Sequence, residues 1–136
     1  MSAHHQNGSF CQLCEEKILT LDPRLQPWAR HFKQTFPDGH LSWGFRDEEN
    51  QNRFFDEGKT RARWPNSKHN RMDGSGKPAA QAFDLFRIRP DGVPEWRAEY
   101  CMEVWTELQA VSPQGLLEWA GNWTGFRELD HIQLKG

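Results

Sequence analysis

The chain has 136 residues, enough for one compact domain with a single core, and its 12% aromatic content with 7 Trp argues against disorder. A net charge of -2 lacks the basic footprint of a nucleic-acid binder, so no nucleic-acid partner is expected. There is no N-terminal basic-then-apolar signal and no run long enough to span a bilayer.

These features predict a soluble chain made in the cytoplasm, without stable membrane association and monomeric. Three cysteines are an odd number and imply no disulfide framework, so a reduced compartment is the simpler reading.

In chain order, residues 1–9 read as a loose polar segment of the single domain 1–136. From Phe10, the run FCQLCEEKILTL sets Phe10, Leu13, Cys14 and Ile18 at helical spacing. A second helix follows in LDPRLQPWARHFKQTF, with Asp22 as the expected N-cap, Pro23 at the first helical position, and an apolar stripe of Leu25, Trp28, Ala29, Phe32 and Phe36. Pro37-Asp38-Gly39 closes it with turn chemistry.

HLSWGFR reads as a short strand and DEENQNRFFDEG as a helix capped by Asp47 and stopped near Gly58. AFDLFRI is a strand, RPDGVPEW a turn, and RAEYCMEVWTELQAV the clearest helix, with Tyr100, Cys101, Val104, Trp105 and Leu108 on one side. The tail LLEWAGNWTGFRELDHIQL is too rich in Gly and Trp for a plain helix and reads as strand, irregular loop and terminal strand. The sum is an α+β fold, a small mainly antiparallel sheet flanked by two or three helices.

The chemistry starts at Asp84. On a strand it shares a face with Ala82, Phe86 and Ile88 while Phe83 and Leu85 take the other, and both faces look buried. A buried carboxylate needs a positive partner, either an arginine or a cation. His69 lies upstream of a turn-prone segment that can fold it back over the strand, and His131 stands on the terminal strand with Glu128 three residues before it. Two His and one Asp suit a zinc ion whose fourth position is left to water. That open position lets the metal acidify the water.

The ordered set SKHN, AFDL, WAGNW and ELDHIQL resembles the zinc peptidases that cut peptidoglycan stem peptides, over about Leu41 to Leu134. The nearest branch is that of phage L-alanyl-D-glutamate endopeptidase endolysins, in a family that includes D-Ala-D-Ala carboxypeptidases. The resemblance implies that His69, Asp84 and His131 hold Zn2+ and that Glu128 is the general base, taking a proton from the attacking water and giving it to the leaving amine. It also implies that Arg46 steadies substrate and oxyanion. Ser67 and Trp123 are the candidate substrate contacts. Asp130 rivals Glu128 as the base. On an extended strand Glu128 and His131 would face opposite ways, so a turn near Leu129 is required. Fourteen residues separate His69 from Asp84, more than the family's usual spacing, so an inserted surface loop is expected.

Other residues receive plainer readings. Cys11-x-x-Cys14 has zinc-knuckle spacing, but no second cysteine pair exists, and the two read as core residues of a helix. His4 and His5 fall in the loose terminus, and His31 and His40 read as surface or turn residues. Of Trp119 and Trp123, one is expected to be partly exposed in a groove.

The resemblance implies a peptidase that acts on the peptidoglycan stem peptide once the membrane has been permeabilised. The competing expectations are a D-Ala-D-Ala carboxypeptidase or dipeptidase of the same fold and an inactive cell-wall-binding or virion protein.

Overall fold

The run AFDLFRI forms the central strand of the sheet. In a computed structural model of the chain, which describes residues 11–125 and 127–136, this strand, β2 (Ala82–Ile88), is flanked by β1 (Gly39–Trp43) and β5 (His131–Leu134). β4 (Leu117–Trp119) pairs with β5, and the short β3 (Pro94–Glu95) folds back on the end of β2, so that the order is β1-β2-β5-β4 with every strand pair antiparallel. Among the described residues, four helices accompany the sheet: α1 (Gln12–Ile18), α2 (Gln26–Thr35), α3 (Glu48–Asp56) and α4 (Ala98–Val111). The architecture is α+β, with four helices where the sequence suggests two or three.

Alternation along the strands divides the sheet into two faces. Leu41, Phe83, Leu85, Ile132, Leu134, Leu117 and Trp119 join one apolar core with Ile18 of α1, Ala29 and Phe32 of α2, and Tyr100, Val104 and Leu108 of α4. Burying each such side chain contributes about 1.5–3 kcal/mol. The intervening positions, Asp84 and Phe86 on β2 and His131 and Gln133 on β5, take the opposite face and are buried there too.

Side-chain chemistry sets the start of α3 but not that of α2. Asp47 caps α3 through Asn50 N (2.9 Å), and Gly58 follows that helix at φ 75°, a conformation glycine adopts without steric cost. Asp22 does not cap α2. Its carboxylate accepts from Arg24 N (2.8 Å) in a preceding turn, and α2 begins only after Leu25, with Pro27 in its first turn. An Asx turn competes with the cap for the same carboxylate, and Pro27 is as well placed as Pro23 to start a helix.

His40 is a second correction. It is fully buried in β1, its ring 5.6 Å from that of Phe86, because the strand begins at Gly39 and carries His40 inside. His31 is half-exposed and pairs with Glu107 at 2.8 Å. Phe10 and residues 1–9, including His4 and His5, lie outside the described residues.

The extra length between His69 and Asp84 forms an exposed miniature hairpin. Met72 bridges Pro78, and Asp73 Oδ1 accepts from Ser75 N (2.8 Å) and Lys77 N (3.0 Å).

Gly44, just past β1, lies against the end of α1. A Cβ there would stand 2.5 Å from Lys17 O and 2.6 Å from Thr20 Oγ1. Gly44→Ala is therefore expected to cost about 1–3 kcal/mol in urea denaturation, as overpacking does. A variant as stable as the parent would contradict this close approach.

Candidate metal centre

Register places the first two members of the site. β2 and β5 pair with Asp84 directly opposite His131, so carboxylate and imidazole leave the sheet side by side on one face. His69 arrives from a 3-10 turn, Lys68–Asn70, that docks across the strand ends. Gln81 N donates to Lys68 O (2.9 Å), and Lys68 Nζ donates to Leu134 O (2.9 Å). Within the turn Ser67 Oγ accepts from His69 N (3.1 Å) and Asn70 Oδ1 accepts from Ser67 N (3.1 Å), a reciprocal cap that fixes its shape.

Three atoms converge as a result. Asp84 Oδ1 lies 3.2 Å from His69 Nε2 and 3.0 Å from His131 Nδ1, and the two ring nitrogens are 3.3 Å apart, all three residues being buried. The outer nitrogens decide what these atoms are. His69 Nδ1 is 2.8 Å from Gly44 O, which can only accept, so Nδ1 donates and Nε2 keeps its lone pair. His131 Nε2 is 2.8 Å from Gln133 Oε1, whose amide nitrogen donates to Glu118 Oε2 at 2.8 Å. His131 Nε2 therefore donates, and Nδ1 keeps its lone pair.

With both imidazoles neutral, three acceptors face one another with no donor between them. Ligand bonds of about 2.0–2.2 Å in a tetrahedral zinc site put ligand atoms roughly 3.3–3.5 Å apart, close to the separations found here. Backbone and amide partners that lock each imidazole are the usual second layer of such a site. The residues fit a cation.

The electrostatics point the same way. Burial opposes ionisation of Asp84, yet His69 and His131 hold its carboxyl well below the ordinary range. Burial pushes His69 down. Burial also opposes protonation of His131, but the Asp84 carboxylate outweighs it and the imidazole is pushed up to about 9. Without a cation, a proton on His131 is what joins the three atoms.

Arg46 occupies the other oxygen of Asp84, with Nη2 3.0 Å from Oδ2. Its guanidinium is buried between the rings of Trp43 (4.9 Å) and Phe54 (4.6 Å), and Nη1 donates to Gln51 Oε1 (3.2 Å). Asn70 Nδ2 donates to Arg46 O (2.9 Å), and Arg46 N donates to His69 O (2.9 Å), so the arginine and histidine segments hold each other. Of the two partners expected for Asp84, the arginine is present on Oδ2, while the two imidazoles meet Oδ1.

Glu128 precedes His131 through a turn at Leu129–Asp130, closed by His131 N to Glu128 O (3.3 Å) and by Trp119 Nε1 to Leu129 O (2.7 Å). The turn makes it possible for Glu128 and His131 to border the same space. Two cavities meet at Glu128. One, of about 550 Å³, is lined by Trp43, Arg46, Asp84 and Asp130, and the other, of about 360 Å³, by Ser67, Trp123, His131 and Gln133. Burial, reinforced by the Asp84 charge, raises Asp130 to about 7. Burial likewise raises Glu128, against the pull of His131.

Trp123 is half-buried with its ring 5.8 Å from that of His131, whereas Trp119 is buried in the core. Sequence reasoning overlooked Gly44, Gln51, Glu118 and Gln133. Of these, Gln133 carried a signal, since it lies two residues beyond His131 on the same strand face.

No family model matches the chain, and comparison with curated proteins finds no match. Among solved structures, the L-Ala D-Glu endopeptidase ChiX of Serratia marcescens superposes with a TM-score of 0.71, over 90% of this chain and 86% of that one, at 21% identity. The two chains share a fold.

Because His131 holds a proton below about pH 9, a cation entering the site must displace it. Titrating zinc into chelator-treated protein near neutral pH is expected to release about one proton, and progressively less as pH rises through about 9. Calorimetry in buffers of different ionisation enthalpy reads this directly. Uptake with no proton released near neutrality would contradict the assignment of that proton.

Proposed function

We propose that the chain is a zinc-dependent peptidoglycan endopeptidase that hydrolyses an amide of the stem peptide, the L-Ala–D-Glu bond, and serves as a phage endolysin in host lysis. The observation that carries the enzymatic reading is the convergence of His69 Nε2, His131 Nδ1 and Asp84 Oδ1 as three locked acceptors beside an ionisable carboxylate, Glu128. The fold likeness to a protein named for L-Ala D-Glu cleavage supports the choice of bond. The lytic role follows from the resemblance of the ordered motifs.

His69, Asp84 and His131 would hold the cation, which when bound supplies a Lewis acid and acidifies a water. Glu128 takes the proton of the attacking water and returns it to the leaving amine. It borders both cavities, whereas Asp130 borders one, and this favours Glu128 as the base.

Arg46 contributes fixed positive potential where negative charge develops on the carbonyl oxygen. Its buried Nε has no hydrogen-bond partner among the described residues, which leaves one donor for a bound group. Lys59 and Arg127 line the same cavity, while Arg61 and Lys68 line the other. Such a basic rim suits a substrate bearing free carboxylates. Ser67 and Trp123 face the second cavity as substrate contacts, and Ser67 also positions His69 through its backbone amide.

Glu128→Gln keeps the shape and removes the base. It is expected to retain zinc and to lose about 10²–10⁴ in kcat. Full activity in this variant would move the role to Asp130.

The zinc-loaded protein, incubated with a defined muropeptide, is expected to release fragments with new N-terminal D-Glu, read by mass spectrometry. Free D-Ala would instead identify a carboxypeptidase. A zinc-bound protein that yields no product would be a binding module.

A further inference from the structure

Cys11, Cys14 and His40 have no place in the chemistry above, yet they come together in the fold. Their donor atoms lie within 4.8 Å of one another and all three residues are buried. Cys11 caps α1, Cys14 stands on its inner side, and His40 enters from β1, the edge strand of the sheet. Cys14 Sγ is 3.4 Å from His40 Nδ1. Zinc–sulfur and zinc–nitrogen bonds of about 2.3 and 2.0–2.1 Å place tetrahedral ligands roughly 3.5 Å apart, which matches that separation.

Each of the two sulfurs also meets a backbone donor. Cys11 Sγ accepts from Cys14 N, and Cys14 Sγ accepts from Leu41 N on the open edge of β1, both at 3.4 Å. Burial pushes the Cys14 thiol up to about 12 and the Leu41 amide offsets this only in part, so a thiolate at this position needs a cation beside it. The buried Lys33, whose ammonium donates to Pro37 O at 3.1 Å, acts electrostatically on both sulfurs. A cavity of about 170 Å³ opens beside the cysteines, bordered by Glu15, Arg30 and Lys33, with room for a water as fourth ligand.

We propose that Cys11, Cys14 and His40 form a second metal site, structural rather than catalytic, that takes zinc through two sulfurs and one nitrogen and pins α1 to the edge of the sheet. Two thiolates and one imidazole select a borderline-soft cation over magnesium or calcium. The other end of α1 is already tied to the catalytic side: Thr20 Oγ1 accepts from Phe45 N at 2.9 Å, and Gly44 O orients His69. A cation at the Cys11 end would hold the same helix at both ends and steady the carbonyl that aims His69.

This site stands apart from the fate of the His69–Asp84–His131 cluster, and the cobalt-substituted protein separates the two. The ligands at that cluster carry no sulfur, so a thiolate-to-cobalt charge-transfer band in the near ultraviolet reports Cys11 and Cys14. The full chain, prepared without an affinity tag and kept reduced, is expected to show that band and to bind about two zinc ions. The Cys11→Ser/Cys14→Ser variant should lose the band and hold about one zinc ion, while His131→Ala should keep the band.

Cobalt-loaded parent protein without the band would overturn the proposal, whatever its peptidase activity. So would a Cys11–Cys14 disulfide in protein prepared without reductant, if reduction then produced no band. If the serine variant fails to fold, the band in the parent protein still decides the matter.

Discussion

One oxygen atom organises this molecule. Asp84 Oδ1 receives two imidazole nitrogens whose own protons are committed elsewhere, to Gly44 O and to Gln133 Oε1. Neutral imidazoles so arranged leave lone pairs facing a carboxylate in a buried setting, which is repulsive until a positive charge enters. A proton or a cation must therefore be part of the folded state. Arg46 cannot fill this need, because it is engaged with Oδ2 and held between two aromatic rings. The carboxylate thus serves two positive partners, one permanent and one exchangeable.

The sheet makes this possible by dividing its labour between faces. The face bearing Phe83, Leu85 and Ile132 buries apolar area against α1, α2 and α4. The other face carries Asp84, His131 and Gln133, whose burial is tolerable only because each polar group finds a partner. Around them the loops are bound to one another and not only to the sheet. Asn70 reaches Arg46 and Gln51, Arg46 N reaches His69 O, and Gln51 reaches Ala62 O. Gly44 has a double duty, since its lack of a side chain lets α1 approach while its carbonyl aims His69.

Much of the fold was legible because its signals are local. The alternation in AFDLFRI, the spacing of Tyr100, Cys101, Val104, Trp105 and Leu108, and Asp47 as a cap each depend on neighbours a few residues away, and each element formed where the pattern put it. The turn that Glu128 and His131 require is present at Leu129 and Asp130. Asp22 shows how such signals fail: a carboxylate followed by proline can close a turn or cap a helix, and only Pro27, one turn later, settled which. His40 was misplaced for a different reason. Next to Gly39 it looks like a turn residue, and nothing in its neighbourhood announces that α1 covers that edge of the sheet.

The sequence alone determined which side chains alternate, where helices stop, and that a carboxylate inside an apolar run needs a positive partner, because strand period, capping and desolvation act within a few residues. Tertiary structure alone decided that His69 and His131 meet Asp84, which nitrogen of each ring faces inward, and that Cys11, Cys14 and His40 adjoin. Those outcomes rest on strand register and on hydrogen bonds between segments far apart in the chain. Such bonds exist only after the chain has closed, so residue order cannot display them.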